Sequence, residues 1–316
     1  MSGPLVAALA GGIGAGKFLR GLVRAVPPAE VAVVVNTADD VEMHGLHVSP
    51  DLDSVTYWLG DVHDRERGWG RRGDTFRATE ELRRFDPEAA WFNLGDLDLA
   101  THLFRTRLLR EGLPLSEITA RVAGRFGVDV RILPMSDDPV TTRVRVLAEG
   151  RELELHFQEY WVRRGARDEV KGVRYAGAET ARPAPGVLQA LREAGTVVIC
   201  PSNPVASIGP ILAVPGMREV LAERRDRVVG ISGIVGGAPL AGMADKLLPA
   251  VGAEVSAVGV AACYRGLLGA LVIDEADRDL APRIEAMGVR VGVTDTIMSD
   301  DVAAERLARF ALDLLG

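Results

Sequence analysis

The sequence predicts an α/β fold in which helices cover both faces of a mostly parallel β-sheet. Short apolar runs typical of buried strands recur along the 316 residues, and amphipathic helical stretches lie between many of them. Hydrophobic residues make up 47% of the chain, which is enough to bury a substantial core. The first apolar run also leads directly into a glycine-rich turn. We therefore expect one Rossmann-like α/β domain over residues 1–316.

The individual elements follow from these patterns in chain order. The predicted strands are residues 5–10, 31–36, 130–133, 196–200, 228–232, 257–260, 270–273 and 289–293. The predicted helices are residues 17–25, 75–85, 116–126, 187–194, 217–225 and 302–315.

Two segments interrupt the alternation and are predicted as insertions. Residues 51–115 are rich in Asp, Arg and Trp, and we expect them to be helical or loop-like. Residues 141–175 are expected to contain a β-hairpin, in which strands 142–147 and 152–157 are joined by a Glu-Gly turn.

Composition and charge narrow the class of protein. No run of about 18 apolar residues is present, which argues against a membrane span, and the first residues lack the layout of a signal peptide. The net charge of −7 and the absence of a basic tail argue against a nucleic-acid partner. Cys200 and Cys263 lie far apart in apolar segments, which favours buried thiols in a reducing compartment. We expect a cytoplasmic protein with no nucleic-acid or membrane partner.

The glycine-rich turn after the first strand predicts a phosphate site. An apolar strand that turns through glycine into a helix directs backbone N–H groups at an anion, and Lys17 adds a positive charge. Gly11, Gly12, Gly14 and Lys17 are the candidate residues. The P-loop pattern fails because Phe18 stands where Ser or Thr would bind magnesium, and the dinucleotide fingerprint lacks its third glycine. The alternative is a tight turn without a ligand.

Carboxylates follow the second predicted strand. Asp39 and Asp40 come at its carboxyl end, where ligands of α/β sheets gather, and Asp51 and Asp53 follow shortly after. Unpaired carboxylates beside a phosphate would repel it, and a divalent cation between them removes the repulsion. Because all candidate ligands are oxygens, Mg²⁺ is the expected ion. The alternative makes Asp39 a turn residue or helix cap and Asp51 a cap after Pro50.

Three further polar segments are candidate ligand loops. Residues 95–102 contain acids, a hydroxyl and a histidine, and residues 134–139 follow a predicted strand. Residues 201–210 place Ser and Asn side chains between prolines, which suits a ribose or a nucleobase. Ordinary turn chemistry is the alternative for each segment.

Taken together, these segments resemble one known family. The segments that carry the resemblance are Gly-Gly-x-Gly-x-x-Lys at 11–17, Asn-Thr-Ala-Asp-Asp at 36–40, Ser-Pro-Asp-Leu-Asp at 49–53, Arg-Gly-Trp-Gly at 67–70, Gly-Asp-x-Asp-Leu-Ala-Thr-His at 95–102, Leu-Pro-Met-Ser-Asp-Asp-Pro at 133–139, His-Phe-Gln-Glu-Tyr-Trp at 156–161 and Pro-Ser-Asn-Pro-Val-Ala-Ser-Ile-Gly-Pro at 201–210. In this order they resemble the 2-phospho-L-lactate transferase family of coenzyme F-420 biosynthesis.

The resemblance implies a reaction and its participants. A phosphocarboxylate, such as 2-phospholactate or phosphoenolpyruvate, passes from a guanosine diphosphate-linked donor to the terminal hydroxyl of the deazaflavin Fo, and GMP leaves. Magnesium is the implied cofactor, and a homodimer is implied as well. Nothing in the sequence discriminates between the possible phosphocarboxylates.

The resemblance also implies roles for individual residues. Asp40 and Asp53 are expected to hold magnesium and to act in catalysis. The expected Fo contacts are Asp53, Asn93, His102 and Trp161. The expected nucleotide contacts are Gly11, Gly12, Gly14, Lys17, Ser202, Asn203 and Ser207. On this basis Asp53→Ala is expected to lower turnover severely while leaving the fold intact.

Two other functions are compatible with parts of the sequence. A non-enzymatic regulator of the gluconeogenesis-factor type would share the sheet and the glycine turn and bind nucleotide sugars, but it would not need segments 93–102 and 156–161. A P-loop kinase is disfavoured by Phe18.

Overall fold

The computed structural model describes residues 3, 5–88 and 90–315. Its strands are β1 Val6–Ala10, β2 Val31–Val35, β3 Val41–Met43, β4 Leu46–Val48, β5 Arg131–Pro134, β6 Thr141–Ala148, β7 Arg151–His156, β8 Glu169–Ala176, β9 Thr196–Ile199, β10 Val228–Ile231, β11 Ile234–Val235, β12 Ala238–Pro239, β13 Ala270–Ile273 and β14 Arg290–Val293. Its α-helices are α1 Gly12–Ala25, α2 Pro50–Leu59, α3 Arg77–Phe85, α4 Asp96–Arg110, α5 Leu115–Arg125, α6 Val187–Glu193, α7 Ile208–Ala213, α8 Met217–Glu223, α9 Ala244–Ala250, α10 Ala257–Cys263, α11 Ala281–Glu285 and α12 Asp301–Asp313.

The centre of the molecule is a seven-stranded sheet in the order β14-β13-β10-β9-β1-β2-β5. Every neighbouring pair in it is parallel. The chain runs outward from β1 through β2 to β5, and then returns to β9 on the other side of β1. The carboxyl ends of β1 and β9 therefore form a topological switch point, which is where α/β sheets bind ligands.

Both faces of this sheet are buried, which explains why its strands are continuous apolar runs. Leu9 and Val34 face a core that includes residues of α6–α11. Ala8, Val33 and Val198 face the opposite core, together with α1, α2, α5 and α12. The alternation of side chains along each strand supplies both cores at once, and the expected Rossmann-like α/β fold with helices on both faces is confirmed.

One predicted strand is wrong. Residues 257–260 belong to helix α10, and the Ser256 hydroxyl accepts a hydrogen bond from Gly259 N at 3.1 Å as the N-cap of this helix. A short apolar run fits a buried strand or a buried helix equally well, and here the capping serine decides in favour of the helix. The other predicted strands are present in the central sheet.

The glycine-rich segment also differs from its expected form. The sequence predicted a helix from residue 17, but α1 begins at Gly12, so Gly14 and Lys17 lie in its first turns. Gly12 has a φ of 73°, a conformation that glycine adopts without strain.

The two insertions carry the elements that the sequence indicated, with additions. Residues 51–115 form most of α2 together with α3 and α4. Strands β6 and β7 pair as a hairpin whose turn residues Glu149 and Gly150 both have positive φ, as a type I′ turn requires. Strand β8 adds to the other side of β6, so the insertion is a three-stranded sheet instead of a hairpin. A further hairpin, β3–β4, follows Asp40.

Within the residues that the structure describes, none of the helices combines the length and the apolarity needed to cross a membrane.

Candidate active site

A cavity of about 700 Å³ opens at the carboxyl ends of the central strands, beside the switch point between β1 and β9. The two insertions and the β11–β12 hairpin form the rest of its wall. The predicted site residues that line it are Gly11, Gly12, Gly14, Lys17, Asp53, Asn93, His102, Trp161, Ser202, Asn203 and Ser207. Asp40 is the predicted site residue that does not line it. The fold thus brings predicted site residues up to 196 positions apart in the sequence, Gly11 and Ser207, into one cavity.

The glycines at the start of α1 allow three segments to approach closely. A Cβ on Gly11 would lie 2.3 Å from Asp51 Oδ2 and 2.6 Å from Ser207 Cβ, and a Cβ on Gly14 would lie 2.3 Å from the Pro201 carbonyl oxygen. The sequence suggested that glycine leaves room for a phosphate. The structure shows that Gly11 and Gly14 leave room for other parts of the protein.

The 201–210 loop is fastened to this glycine segment. Ser202 Oγ accepts a hydrogen bond from Gly11 N at 3.2 Å and donates one to Gly11 O at 2.9 Å. Asn203 Oδ1 accepts from the backbone N–H groups of Val205 and Ala206, so this side-chain oxygen folds its own loop. What remains for a ligand is the Asn203 amide nitrogen, since the carbonyl oxygen is already used.

Lys17 is the cation of the cavity wall. It is exposed in the first turns of α1, and no ion pair of its ammonium group is found among residues 3, 5–88 and 90–315. A helix N-terminus and an unpaired ammonium group both favour an anion.

A pair of buried carboxylates lies next to the glycine segment. Asn36, directly after β2, donates from Nδ2 to Asp39 Oδ1 at 3.2 Å and to Asp51 Oδ2 at 2.9 Å. Gln158 Nε2 donates to the other oxygen of Asp39 at 2.9 Å. Asp39 thus lies in a turn, and Asp51 is an interior residue of the first turn of α2, so neither caps a helix.

Burial and mutual repulsion disturb the ionisation of this pair. Burial raises the pKa of Asp51 to about 7, although the Asn36 amide and the Gly12 N–H oppose the shift. Burial also raises the pKa of Asp39 well above its ordinary range, and the nearby charges of Asp51 and Asp40 raise it further. A cation in this position would offset the same repulsion.

Asp40 faces the β3–β4 hairpin and not the cavity. Its Oδ2 accepts hydrogen bonds from His47 Nε2 and Ser49 Oγ, each at 2.8 Å. Its Oδ1 is buried and has no hydrogen-bond partner in the described part of the chain. Burial raises the pKa of Asp40, while the His47 and Ser49 hydrogen bonds lower it.

Asp53 forms a buried ion pair that the sequence did not reveal. Arg105 Nη1 donates to Asp53 Oδ2 at 3.0 Å, and Nη2 contacts Oδ1, with both side chains nearly inaccessible. Removing one member of such a pair leaves a buried charge without a partner. The expectation that Asp53→Ala leaves the fold intact therefore has to be revised, because Arg105 would become a buried charge without its partner.

His102 and Asp98 extend this pair along the cavity wall. One ligand atom each of Asp53, Asp98 and His102 lies within 4.8 Å of the others, the spacing of a metal-binding group. Tyr57 OH donates to Asp98 Oδ1 at 2.5 Å. Arg105 contacts both oxygens of Asp53, so this group forms a hydrogen-bonded network in the structure, and each of these oxygens keeps a second lone pair.

Aromatic side chains form another part of the cavity wall. Trp69 and Trp161 line the cavity and are each 37% exposed, and Phe92 lies beside Asn93. Trp161 lies in a π-helical turn, Glu159–Arg163, a feature that recurs at functional sites. Exposed aromatic faces suit a planar ring as ligand. The Asn93 side-chain oxygen contacts Arg83 Nη2, so its amide nitrogen is the group left for a ligand.

Sequence reasoning missed Arg105 and Gln158. A signal for Arg105 was present, because Asp98, Thr101, His102 and Arg105 follow the i, i+3, i+4, i+7 spacing of one helix face. Gln158 had no such signal, since its role depends on the inserted sheet reaching Asp39. Segments 239–244 and 296–298 also line the cavity and were not predicted.

Comparisons with known proteins point to one family. The family model described as 2-phospho-L-lactate transferase CofD matches residues 6–302. A phosphoenolpyruvate transferase of Streptomyces griseus subsp. griseus is 49% identical over 310 residues, covering 98% of this chain and 98% of the relative. A 2-phospho-L-lactate transferase of Methanosarcina acetivorans is 44% identical over 306 residues, covering 97% of each.

A solved structure shares the fold. It is a upf0052 family member from Bacillus halodurans, with a TM-score of 0.64 and 15% sequence identity, covering 98% of this chain and 99% of that one. At this identity the likeness shows the fold alone. The choice between enzyme and regulator therefore depends on the sequence relatives. These are named as transferases, and this chain matches nearly their whole length.

Proposed function

Because this chain belongs to the 2-phospho-L-lactate transferase CofD family and is therefore a transferase, we propose that it transfers a phosphocarboxylate to the deazaflavin Fo. In the proposed donor, the phosphate of phosphoenolpyruvate or 2-phospholactate is joined to GMP through a diphosphate bond, and GMP is released. This is a step of coenzyme F-420 biosynthesis. The observation that carries the proposal is one cavity in which an anion-binding helix start, a carboxylate cluster and aromatic walls meet. The regulator alternative is not favoured, because the relatives are transferases.

The glycine side of the cavity suits the donor nucleotide. The N-terminus of α1 and Lys17 offer positive charge for phosphate groups. The Asn203 amide nitrogen and the Ser207 hydroxyl lie on the adjacent loop and can hydrogen-bond to ribose or guanine.

The aromatic side suits the acceptor. Trp69 and Trp161 can contact the faces of a deazaflavin ring, while Asn93 and Asp53 can bind its polar groups. In this proposal the ribityl chain of Fo runs from the aromatic residues toward the phosphate groups.

We propose Mg²⁺ as the cofactor, held by Asp40 and Asp53. The donor set fits in its chemistry, because it consists of carboxylates, because the Asp53 oxygens keep lone pairs beside Arg105, and because Asp40 Oδ1 is buried with no hydrogen-bond partner among the described residues. Burial is the main cause of the raised pKa values of Asp39 and Asp51, and neighbouring carboxylates raise both further; a cation would offset that second contribution. When bound, the ion supplies Lewis-acid neutralisation of phosphoryl oxygens.

The residues of the chain account for the transfer step. The terminal hydroxyl of Fo attacks the phosphorus that carries the carboxylate fragment, the diphosphate bond breaks, and GMP takes the bond electrons. Lys17 and the N–H groups of α1 stabilise the charge on the departing phosphate. The hydroxyl proton passes to a buried carboxylate, and Asp51, with its pKa of about 7, is suited to accept it.

The test is a product analysis with purified protein. The purified protein is incubated with Fo, MgCl₂ and guanylylated phosphoenolpyruvate, 2-phospholactate or phosphoglycerate, and the products are identified by mass spectrometry. We expect one acid to give an Fo adduct together with an equal amount of GMP. The proposal is refuted if no acid gives an adduct, or if GMP appears equally without Fo.

Magnesium binding has a separate test by calorimetric titration of the wild type, Asp40→Asn, Asp53→Asn and the control Asp168→Asn. Asp168 pairs with Arg164 and does not line the cavity. Equal magnesium affinity in all four proteins would refute the ligand assignment. The resemblance also leads us to propose a cytoplasmic homodimer, and light scattering of the purified protein tests the dimer.

A further inference from the structure

Arg105 is a buried cation behind the cavity wall, and the transfer step does not use it directly. It lies on α4, and its guanidinium group pairs with both carboxylate oxygens of Asp53 on α2. The Arg105 and Asp53 side chains are only 3% and 7% exposed. A two-pronged pair fixes the plane of the carboxylate, because rotation about the Cβ–Cγ bond of Asp53 would break one prong.

The same guanidinium group also determines how His102 is protonated. Arg105 Nη1 lies 3.3 Å from His102 Nδ1. Arginine can only donate, so Nδ1 accepts from Arg105, although Asp53 Oδ2 also lies 3.6 Å from Nδ1, and the proton of the neutral ring is then on Nε2. His102 Nε2 lies 3.5 Å from Asp98 Oδ2, an ion-pair distance, and makes no hydrogen bond within the described part of the chain.

The network ends at Tyr57, one helical turn after Asp53 on α2. Its hydroxyl group contacts Asp98 Oδ1 at 2.5 Å and Thr101 Oγ1 at 2.9 Å. Five side chains therefore link α2 and α4 in a series of close polar groups that runs from Asp53 through Arg105, His102 and Asp98 to Tyr57. Asp53, His102, Asp98 and Tyr57 line the cavity, while Arg105 lies behind them.

We propose that Arg105 is a positioning residue of the transferase site. It holds the carboxylate of Asp53, a residue that lines the cavity, in one orientation and keeps His102 in the Nε2-protonated form. The proposal rests on the proposed function for its kinetic part, whereas the protonation of His102 can be measured without any substrate.

A merely structural role, in which the pair only joins α2 to α4, predicts a different result. Arg105→Lys keeps the positive charge but loses the fork that grips both oxygens. The matched control is Arg20→Lys, because Arg20 also pairs with a carboxylate on another helix, Asp301 at 2.6 Å, but lies outside the cavity.

The kinetic experiment measures kcat and KM for Fo and for the donor, per folded protein, together with the melting temperature. We expect Arg105→Lys to lower kcat about 30- to 100-fold, as misplacement of a reacting group does, with a donor KM within about twofold of wild type. We expect Arg20→Lys to leave kcat unchanged. If Arg105→Lys melts at a lower temperature but keeps kcat within threefold per folded molecule, the role is structural and the proposal is overturned.

The second measurement uses the wild-type protein and holds even if the variant does not fold. ¹⁵N NMR of the histidine rings, with the His102 signal identified by its loss in His102→Gln, shows which ring nitrogen carries the proton. A proton on Nε2 supports the proposal, and a proton on Nδ1 overturns it. If the wild type makes no Fo adduct, the proposed function fails, while this ring measurement still decides the contact between Arg105 and His102.

Discussion

Gly14→Ala tests how the start of α1 is built into the site. A Cβ at this position would lie 2.3 Å from the Pro201 carbonyl oxygen, although nonbonded contacts are favourable only near 3.5–4 Å. The oxygen belongs to the backbone and cannot rotate away. Either the first turn of α1 or the 201–210 loop therefore has to move by about 1 Å.

The size of the effect follows from this displacement. Overpacking costs about 1–3 kcal/mol, and the better helix propensity of alanine returns up to about 1 kcal/mol. For 316 residues, 1 kcal/mol corresponds to about 1.5 °C in the melting temperature, so we expect a decrease of about 2–3 °C. Turnover should fall much more, by about 100-fold, because the same movement displaces the nucleotide-binding groups.

The assay compares the melting temperature and kcat/KM of Gly14→Ala with those of Gly124→Ala. Gly124 lies in α5, and its Cβ would meet nothing within 4 Å. This control should gain about 1 kcal/mol and keep full turnover. The reasoning is refuted if Gly14→Ala matches the wild type in both measurements, or if the control loses activity equally.

Three other predictions concern charges. Asp53→Ala should lower the free energy of unfolding in urea by about 3–5 kcal/mol, because it leaves the buried Arg105 without a partner. The control Asp301→Ala, which breaks a more exposed ion pair, should lower it by only about 1 kcal/mol. Equal losses in both variants would contradict the buried-pair account. In metal-free buffer, stability should fall as the pH rises from about 4 to 7, because unfolded Asp51 loses its proton near pH 4 while the folded residue keeps it to about pH 7. In Asp51→Asn the melting temperature should depend less on pH over this range, and an unchanged dependence would show that another group is responsible. Lys17→Gln should weaken donor binding about tenfold in calorimetry and leave the melting temperature unchanged. The control Lys171→Gln, in strand β8 of the inserted sheet, should change neither the affinity nor the melting temperature. Equal donor affinity in both variants would exclude the proposed role of Lys17 in phosphate binding.

Much of the fold could be read from local patterns. The strands of the central sheet are apolar on both faces, so each appears in the sequence as a short apolar run. The run at 257–260 failed as a strand because its length and composition suit a helix as well, and only the Ser256 cap distinguishes them. The third strand of the inserted sheet was missed because most of β8 is only partly buried, and its charged residues Glu169, Lys171 and Arg174 interrupt any apolar run.

The candidate site was predictable in its location but not in its contacts. Residues that follow parallel strands meet at one edge of the sheet, so the glycine segment and the 201–210 loop had to come together. Which way each side chain faces was not predictable. Asp39 lines the cavity and its neighbour Asp40 does not, because the β3–β4 hairpin brings His47 to bind Asp40.

The sequence by itself determined the alternating architecture, the edge of the sheet where a ligand binds, and the residue types that meet there. Only the tertiary structure decided which of those groups are already paired. Asp53 meets Arg105 across 52 residues and Asp39 meets Gln158 across 119. Hydrogen bonds and ion pairs depend on the distance between atoms, and at such separations the packing of the insertions sets that distance, whereas the spacing along the chain does not.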